Sequence, residues 1–190
     1  MRVLGISGSL RRDSLNSALL RAAAERLPAG TEWVEFERLR EIPPYDADAE
    51  AFTTPQPVEE LRQAMREADA VLIATPEYNH SIPGVLKNAL DWASRPAGQS
   101  ALSGTPAAAI GASTGMFGAV WAQAETRKVL GALGGRVLEA ELPVAQADQL
   151  LAGGRLELSP QQSEQLDEIL AELVSAAEEA AELQRERIAA

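Results

Sequence analysis

The segment Ala70–Thr75 reads AVLIAT, and no other stretch constrains the fold as much. It has no charge and no polar alternation. Such a run suits a strand buried on both faces, as in a parallel sheet covered by helices. Short strand-like runs recur at 2–6, 32–36, 106–112 and 136–142. Between them lie segments with helical spacing, at 14–27, 58–67, 84–93 and 119–133, and a last one runs from 159 to about 187. Pro83, Ser159 and Pro160 stand where helix starts favour them. Residues 38–57 carry four prolines and little periodicity, which reads as a long surface loop. Strands alternating with helices predict an α/β three-layer sandwich. Five parallel strands fit the flavodoxin-like order 2-1-3-4-5, and its ligand crevice lies where the winding reverses, at the carboxyl ends of strands one and three.

The chain has 190 residues, which predicts a single domain over 1–190. Hydrophobic residues at 46% and charged residues at 24% are ordinary for a globular chain, so wholesale disorder is not expected. There is no cysteine, which excludes disulfides, thiolate metal sites and a cysteine nucleophile. His80 is the one histidine, so a multi-histidine metal centre is excluded too. Seventeen basic residues against 28 acidic give a formal charge of −11, which argues against nucleic acid as a partner. No apolar run approaches the roughly 18 residues of a membrane span. The opening MRVLGISGSLRRDSLN lacks a signal-peptide core. A cytoplasmic protein is expected.

Three loops carry candidate chemistry. The first, GSLRRDSLN at 8–16, joins a strand to a helix N-terminus, where free N–H groups and the helix dipole favour an anion. Ser9, Ser14, Asn16 and Ser17 add hydroxyl and amide donors, and Arg11 adds a fork suited to phosphate. The loop is neither a Walker loop nor a dinucleotide fingerprint, so a monophosphate fits best. The second, TPEYNHSIP at 75–83, has prolines near both ends and a flat face in Tyr78, and would accept a planar heterocycle. The third, GASTGMFG at 111–118, is rich in small residues that allow close backbone approach. It also contains G-x-S-x-G around Ser113, the pattern of a hydrolase nucleophile elbow. The only histidine precedes that serine, whereas elbow enzymes run serine, acid, histidine.

These three stretches, with GVLKNALDW completing the second, resemble the NADPH-dependent FMN reductase family. This is a flavodoxin-like group that includes quinone, chromate and azo-dye reductases. The resemblance covers residues 2–142. It implies FMN as cofactor and NAD(P)H as co-substrate. It places Ser9, Arg11, Ser14, Asn16 and Ser17 at the phosphate, Pro76, Glu77, Tyr78 and Asn79 along the isoalloxazine, and Ser113, Thr114 and Gly115 at its pyrimidine side. Many relatives have tyrosine where this chain has His80, which reads as a rim residue. The implied cycle is ping-pong, from NAD(P)H to FMN and then to a small-molecule acceptor, with the flavin doing the chemistry. The resemblance also implies a homodimer or homotetramer. Helices 84–93 and 119–133 are the expected contacts, with Trp92, Trp121 and Arg127 as candidates. A flavodoxin-type electron carrier and a serine hydrolase using Ser113 are the competing classes.

Overall fold

The structure is a computed structural model and describes residues 1–189. Strands β1 (Arg2–Ser7), β2 (Glu32–Glu35), β3 (Ala70–Thr75), β4 (Pro106–Ala112) and β5 (Arg136–Val137) pair in parallel in the order β2-β1-β3-β4-β5. In β3 the continuous apolar run serves two cores at once. Val71 and Ile73 face one layer, while Ala70, Leu72 and Ala74 face the other. Helices α3 (Gln56–Glu67), α4 (Gly84–Ala93) and α5 (Val120–Ala132) cover the first face through Leu61, Met65, Leu86, Leu90 and Leu130. Helices α1 (Leu15–Ala24) and α6 (Pro160–Ala189) cover the second through Leu19, Leu20, Leu166 and Leu170. At the start of α6, Ser159 and Gln162 form a capping box, each side chain bonding the other's backbone N–H.

The sheet brings its strand ends together at close quarters. A Cβ on Gly5 would lie 2.2 Å from the Trp33 ring, so only glycine lets β2's tryptophan cross β1. The N–H of Gly8 donates to Ala74 at 2.8 Å, which carries the β1–β3 ladder into the first loop.

Three features depart from the sequence expectation. The strand expected at 136–142 is divided. Its first part pairs with the start of β4, and a separate β6 (Pro143–Val144) pairs with the end of β4. Glu139 and Glu141 explain the break, because a strand buried on both faces would strand their charges. The segment swings outward, where Glu141 meets Arg127 at 3.1 Å. Gln123 takes over the ladder there, accepting the Leu142 N–H at 2.9 Å.

The proline-rich stretch is not a free loop. It holds a 3-10 turn, Arg38–Glu41, and helix α2 (Ala47–Phe52). Trp92 Nε1 and Asn88 Nδ2 both donate to the Pro43 carbonyl, at 2.8 and 2.9 Å. Trp92 is therefore no subunit contact: it is wholly buried, with its ring edge-on to Tyr45 at 4.9 Å. Finally, β7 (Leu151–Ala152) and β8 (Arg155–Leu156) form a small hairpin turning on Gly153 and Gly154, at φ of +56° and +81°.

Candidate active site

The loops after β1, β3 and β4 meet at one edge of the sheet, and two side chains lock them together. Asn16, on the first turn of α1, is buried. Its Nδ2 donates to the Ala112 carbonyl at 2.9 Å, and its Oδ1 accepts the Ala112 N–H at 2.9 Å. That amide ties the first loop to the end of β4. What Asn16 keeps for a ligand is its backbone N–H, which with that of Leu15 has no acceptor within the helix. Ser14 is the N-cap, accepting from the Ser17 N–H at 3.1 Å. Ser17 Oγ in turn donates to Ser7 Oγ at 3.0 Å. Ser9 Oγ accepts the Arg11 N–H at 3.3 Å and so shapes the loop. The Arg11 guanidinium is exposed and forms no ion pair among the described residues.

Glu77 supplies the second tie. Its Oε2 accepts the N–H groups of Trp121 and Ala122 at 3.0 and 3.2 Å. Helix α5 needs this, because its N-cap is Ala119, which has no side-chain oxygen and sits at φ +62°. A carboxylate there also meets the positive end of the helix dipole. One oxygen of the Glu77 carboxylate is thus committed to the neighbouring helix, while the residue still lines the cleft. After it, Tyr78 and Ser81 exchange backbone hydrogen bonds at 3.0 and 3.1 Å around Asn79 and His80, at φ of +53° and +59°. Two positive φ values make this a type I′ turn, in which asparagine is favoured at the first position. The turn lifts Tyr78 out of the core to half exposure. His80 turns away to pack edge-on against Trp121 at 4.6 Å, with Nδ1 3.7 Å from Glu77 Oε1.

In the third loop the glycines divide by cause. A Cβ on Gly111 would lie 2.9 Å from the Thr75 carbonyl, and one on Gly118 would lie 2.5 Å from the Pro143 backbone. Both are required by packing. At Gly115 the nearest atom would be Ser113 Oγ at 3.7 Å, so this is the glycine left for close approach by a ligand. The Ser113 N–H is already used, donating to Val144 at 3.0 Å. Thr114 and Gly115 hold the N–H groups that this loop still offers.

The result is a shallow cleft of about 90 Å³, lined by Ser9, Arg11, Asn16, Glu77, Tyr78 and Ser113 with Leu15, Pro76, Ala112 and Thr114. Of the residues expected from sequence, Ser14, Ser17, Asn79 and Gly115 do not line it. Beside it, sharing Arg11 and Tyr78, runs an apolar groove of about 520 Å³ with Leu10, Pro83 and Val85 in its walls. Leu10 and Val85 were not anticipated; no local pattern marks two separated aliphatic residues as neighbours. A larger hollow of about 570 Å³ lies at the opposite ends of the strands. Its arginines, Arg66 and Arg136, are already paired with Glu59 and Glu179.

The hydrolase pattern around Ser113 does not form an elbow. Such a serine sits on a strained turn that enters a helix directly. Here Ser113 has no positive φ, and α5 begins only at Val120. No hydrogen bond joins Ser113 to His80 among the described residues.

The cleft's lining suits FMN: an exposed guanidinium, hydroxyls and helix N–H groups for its phosphate, and the Tyr78 wall for its ring. The family model of the NADPH-dependent FMN reductases matches residues 1–149. The chain belongs to this family. It is accordingly an oxidoreductase, with FMN as its cofactor and NAD(P)H as co-substrate. An NAD(P)H-dependent FMN reductase of Pseudomonas aeruginosa is 52% identical over 130 residues, 68% of this chain and 69% of that protein. A quinone reductase of Escherichia coli is 41% identical over 133 residues, again 68% and 69% of the two chains. Among solved structures, the flavoenzyme NAD(P)H:(acceptor) oxidoreductase FerB of Paracoccus denitrificans superposes with a TM-score of 0.81 at 34% identity, covering 94% of this chain and 98% of that one. Among the described residues, no helix is long and apolar enough to cross a membrane.

Proposed function

We propose that this chain reduces quinones and related small acceptors, free flavin and chromate among them, with electrons from NAD(P)H in a ping-pong cycle. The whole of 1–190 acts as one FMN-binding unit in the cytoplasm. One observation supports this most: three loops, cross-tied by Asn16 and Glu77, converge on one polar cleft continuous with an apolar groove.

When bound, FMN supplies the redox chemistry, and the protein's task is binding and orientation. Arg11 and the N–H groups of Leu15 and Asn16 hold the phosphate, with Ser9 beside them and Ser14 and Ser17 shaping the helix start. Pro76, Tyr78 and the Asn79 turn form the wall for the ring. Ser113 would offer its hydroxyl, and Thr114 and Gly115 their N–H groups, to the polar edge of the ring. The two substrates take turns at the open side, next to the apolar groove. The quinone class is carried by the relatives: reductases named for quinones match 68–80% of this chain.

The test is anaerobic mixing of the purified protein with NADPH and with NADH while the flavin absorbance is followed, then addition of a quinone. Bleaching by nucleotide and recovery with quinone are expected. A protein that binds no FMN, or whose flavin neither nucleotide reduces, would sink the proposal. Arg11→Ala should weaken FMN binding about ten- to a hundred-fold, the worth of one charge-assisted hydrogen bond. Unchanged affinity would place Arg11 in solvent.

A further inference from the structure

Neither the cofactor's phosphate nor the polar edge of its ring accounts for the apolar groove beside the cleft. Leu10, Pro83, Val85 and the Tyr78 ring wall it, with Gly84 among them. Its volume is about 520 Å³, against about 90 Å³ for the cleft. Among the described residues its one charged lining group is Arg11, which it shares with the cleft, as it shares Tyr78. Groove and cleft are therefore continuous, and a molecule lying against Tyr78 reaches both. Tyr78 and Val85 stand exposed although apolar. Gly84 widens the groove further. It is the first residue of α4, and a Cβ there would meet no atom within 4 Å. No packing contact requires this glycine, unlike Gly111 and Gly118, and it leaves room at the groove's wall.

Such a wall discriminates between the two substrates. NAD(P)H is charged and polar along its length, and its phosphates and hydroxyls would lose water without gaining partners against Leu10, Pro83 and Val85. An alkyl or prenyl substituent on a quinone loses nothing there and gains the burial of its methylenes. The volume lies within the range of about 300–1,000 Å³ spanned by pockets for small organic ligands. We propose that the groove takes the apolar substituent of the electron acceptor, so that this chain prefers quinones carrying an alkyl or prenyl tail to short-chain ones, with Leu10, Gly84 and Val85 setting the preference. The proposal rests on the reductase reading and adds to it the class of quinone and the residues that choose it. The quinone head lies at the cleft, against Tyr78. There it gains two electrons and two protons, as a hydride from the reduced cofactor and a proton from water, and leaves as the hydroquinone. The tail takes no part in that balance and acts on affinity alone.

The experiment titrates the FMN-loaded protein, oxidised and without nucleotide, with 1,4-naphthoquinones bearing methyl, propyl or pentyl at the second carbon. Oxidised flavin and quinone do not react, so calorimetry reads binding alone. Affinity of the wild type should rise about two- to four-fold for each added methylene. With NAD(P)H present, kcat/KM should rise along the series by similar factors. Gly84→Leu extends a side chain into the groove from a position where its Cβ meets nothing. Val85→Asp places a carboxylate in the wall, in the first turn of α4, where the helix dipole favours one. Each should bring the pentyl compound down to the affinity of the methyl one. Flavin absorbance and sedimentation are read alongside. A flat series in the wild type would overturn the assignment, and so would a rise that survives both substitutions, because that is unspecific partition. Weakened FMN binding in both variants would give the groove to the flavin ring, and altered sedimentation in both would give it to a second copy; either result also overturns it. A series that rises as expected, in a protein whose flavin neither nucleotide reduces, would leave the groove assigned and count against the reductase reading instead.

Discussion

Glu77 reaches across the crevice to cap a helix that begins 43 residues later in the chain. Without it, two N–H groups at the start of α5 lose their acceptor. Glu77→Ala should cost about 0.5–2 kcal/mol, the usual worth of a helix cap. Glu77→Gln keeps an acceptor oxygen and should recover most of that in urea denaturation. A Glu77→Ala protein as stable as the wild type would show that water caps α5 equally well. Ser113 is a different case. It lines the cleft, but its backbone is tied to β6 and its turn is unstrained. Ser113→Ala should therefore keep NAD(P)H-dependent quinone reduction, losing at most one hydrogen bond of about 0.5–1.5 kcal/mol. Rapid cleavage of activated esters by the wild type, abolished in the variant, would restore the nucleophile reading. Glu35, at the end of β2, shows what burial does to a single charge. Desolvation first, and then repulsion by Glu37, push its carboxyl above the usual range, with Arg21 opposing. The raised value means that the folded state binds a proton more readily than the unfolded one. Folding is thus penalised once pH rises above the ordinary carboxylate range. Glu35→Gln should be more stable than the wild type at pH 7, and the gain should vanish in acid, as denaturation at both pH values would show.

At the scale of elements, the proline-rich stretch acts as a strap. Its turn and the residue after it insert Leu39 and Ile42 into the core, but α2 buries none of its residues, and Phe52 is 90% exposed. The stretch beyond Ile42 is held by groups from helices beneath: Trp92 and Asn88 on Pro43, and Arg62 on Glu50 at 3.2 Å. Arg62 is buried, and it also donates to the Trp92 carbonyl at 3.1 Å. Arg62→Ala leaves Glu50 facing an apolar gap, so a loss of about 3 kcal/mol and faster proteolysis within 43–56 are expected. Replacing both charges, Arg62→Met with Glu50→Leu, should restore most of the stability. A single variant with native stability and protease resistance would show that the strap is held elsewhere. None of this was legible in the sequence, because the anchors lie on other helices and four prolines hide any period. The continuous apolar strands were legible, since burial on both faces writes itself into each residue of β3. The meeting of the three candidate loops was legible too, since each follows a strand end that topology brings to one edge. The break between β5 and β6 was not, although Glu139 and Glu141 are its local signal. Nor was the capping by Glu77, which answers a missing side-chain oxygen at Ala119 that only the folded chain brings near.

At the scale of the molecule, one cluster of exposed apolar side chains stands beside the cleft's third loop. Met116 is 75% exposed, Phe117 58% and Trp121 40%, and the last two rings touch at a centroid distance of 4.9 Å with His80 on the other side of Trp121. A contiguous patch of this kind marks an interaction surface. Of the three contacts expected for a subunit interface, Trp92 is buried and Arg127 is largely consumed by Glu141, so Trp121 remains. We propose that a second copy of this chain covers the patch. Each copy carries a formal charge of −11, so two copies repel at long range while the aromatic surfaces attract at contact. Added salt shortens the repulsion, to roughly 10 Å at 0.1 M and 3 Å at 1 M, and also strengthens apolar burial. Association should therefore tighten with ionic strength, the reverse of a complex held by ion pairs. Sedimentation of the wild type at micromolar concentration should show a dimer or a larger assembly. Phe117→Asp with Trp121→Asp should shift it to monomer, because each added carboxylate must be desolvated against a copy of itself. A wild type that sediments as a monomer at every salt concentration, or a double variant that still associates, would place the interface on another face.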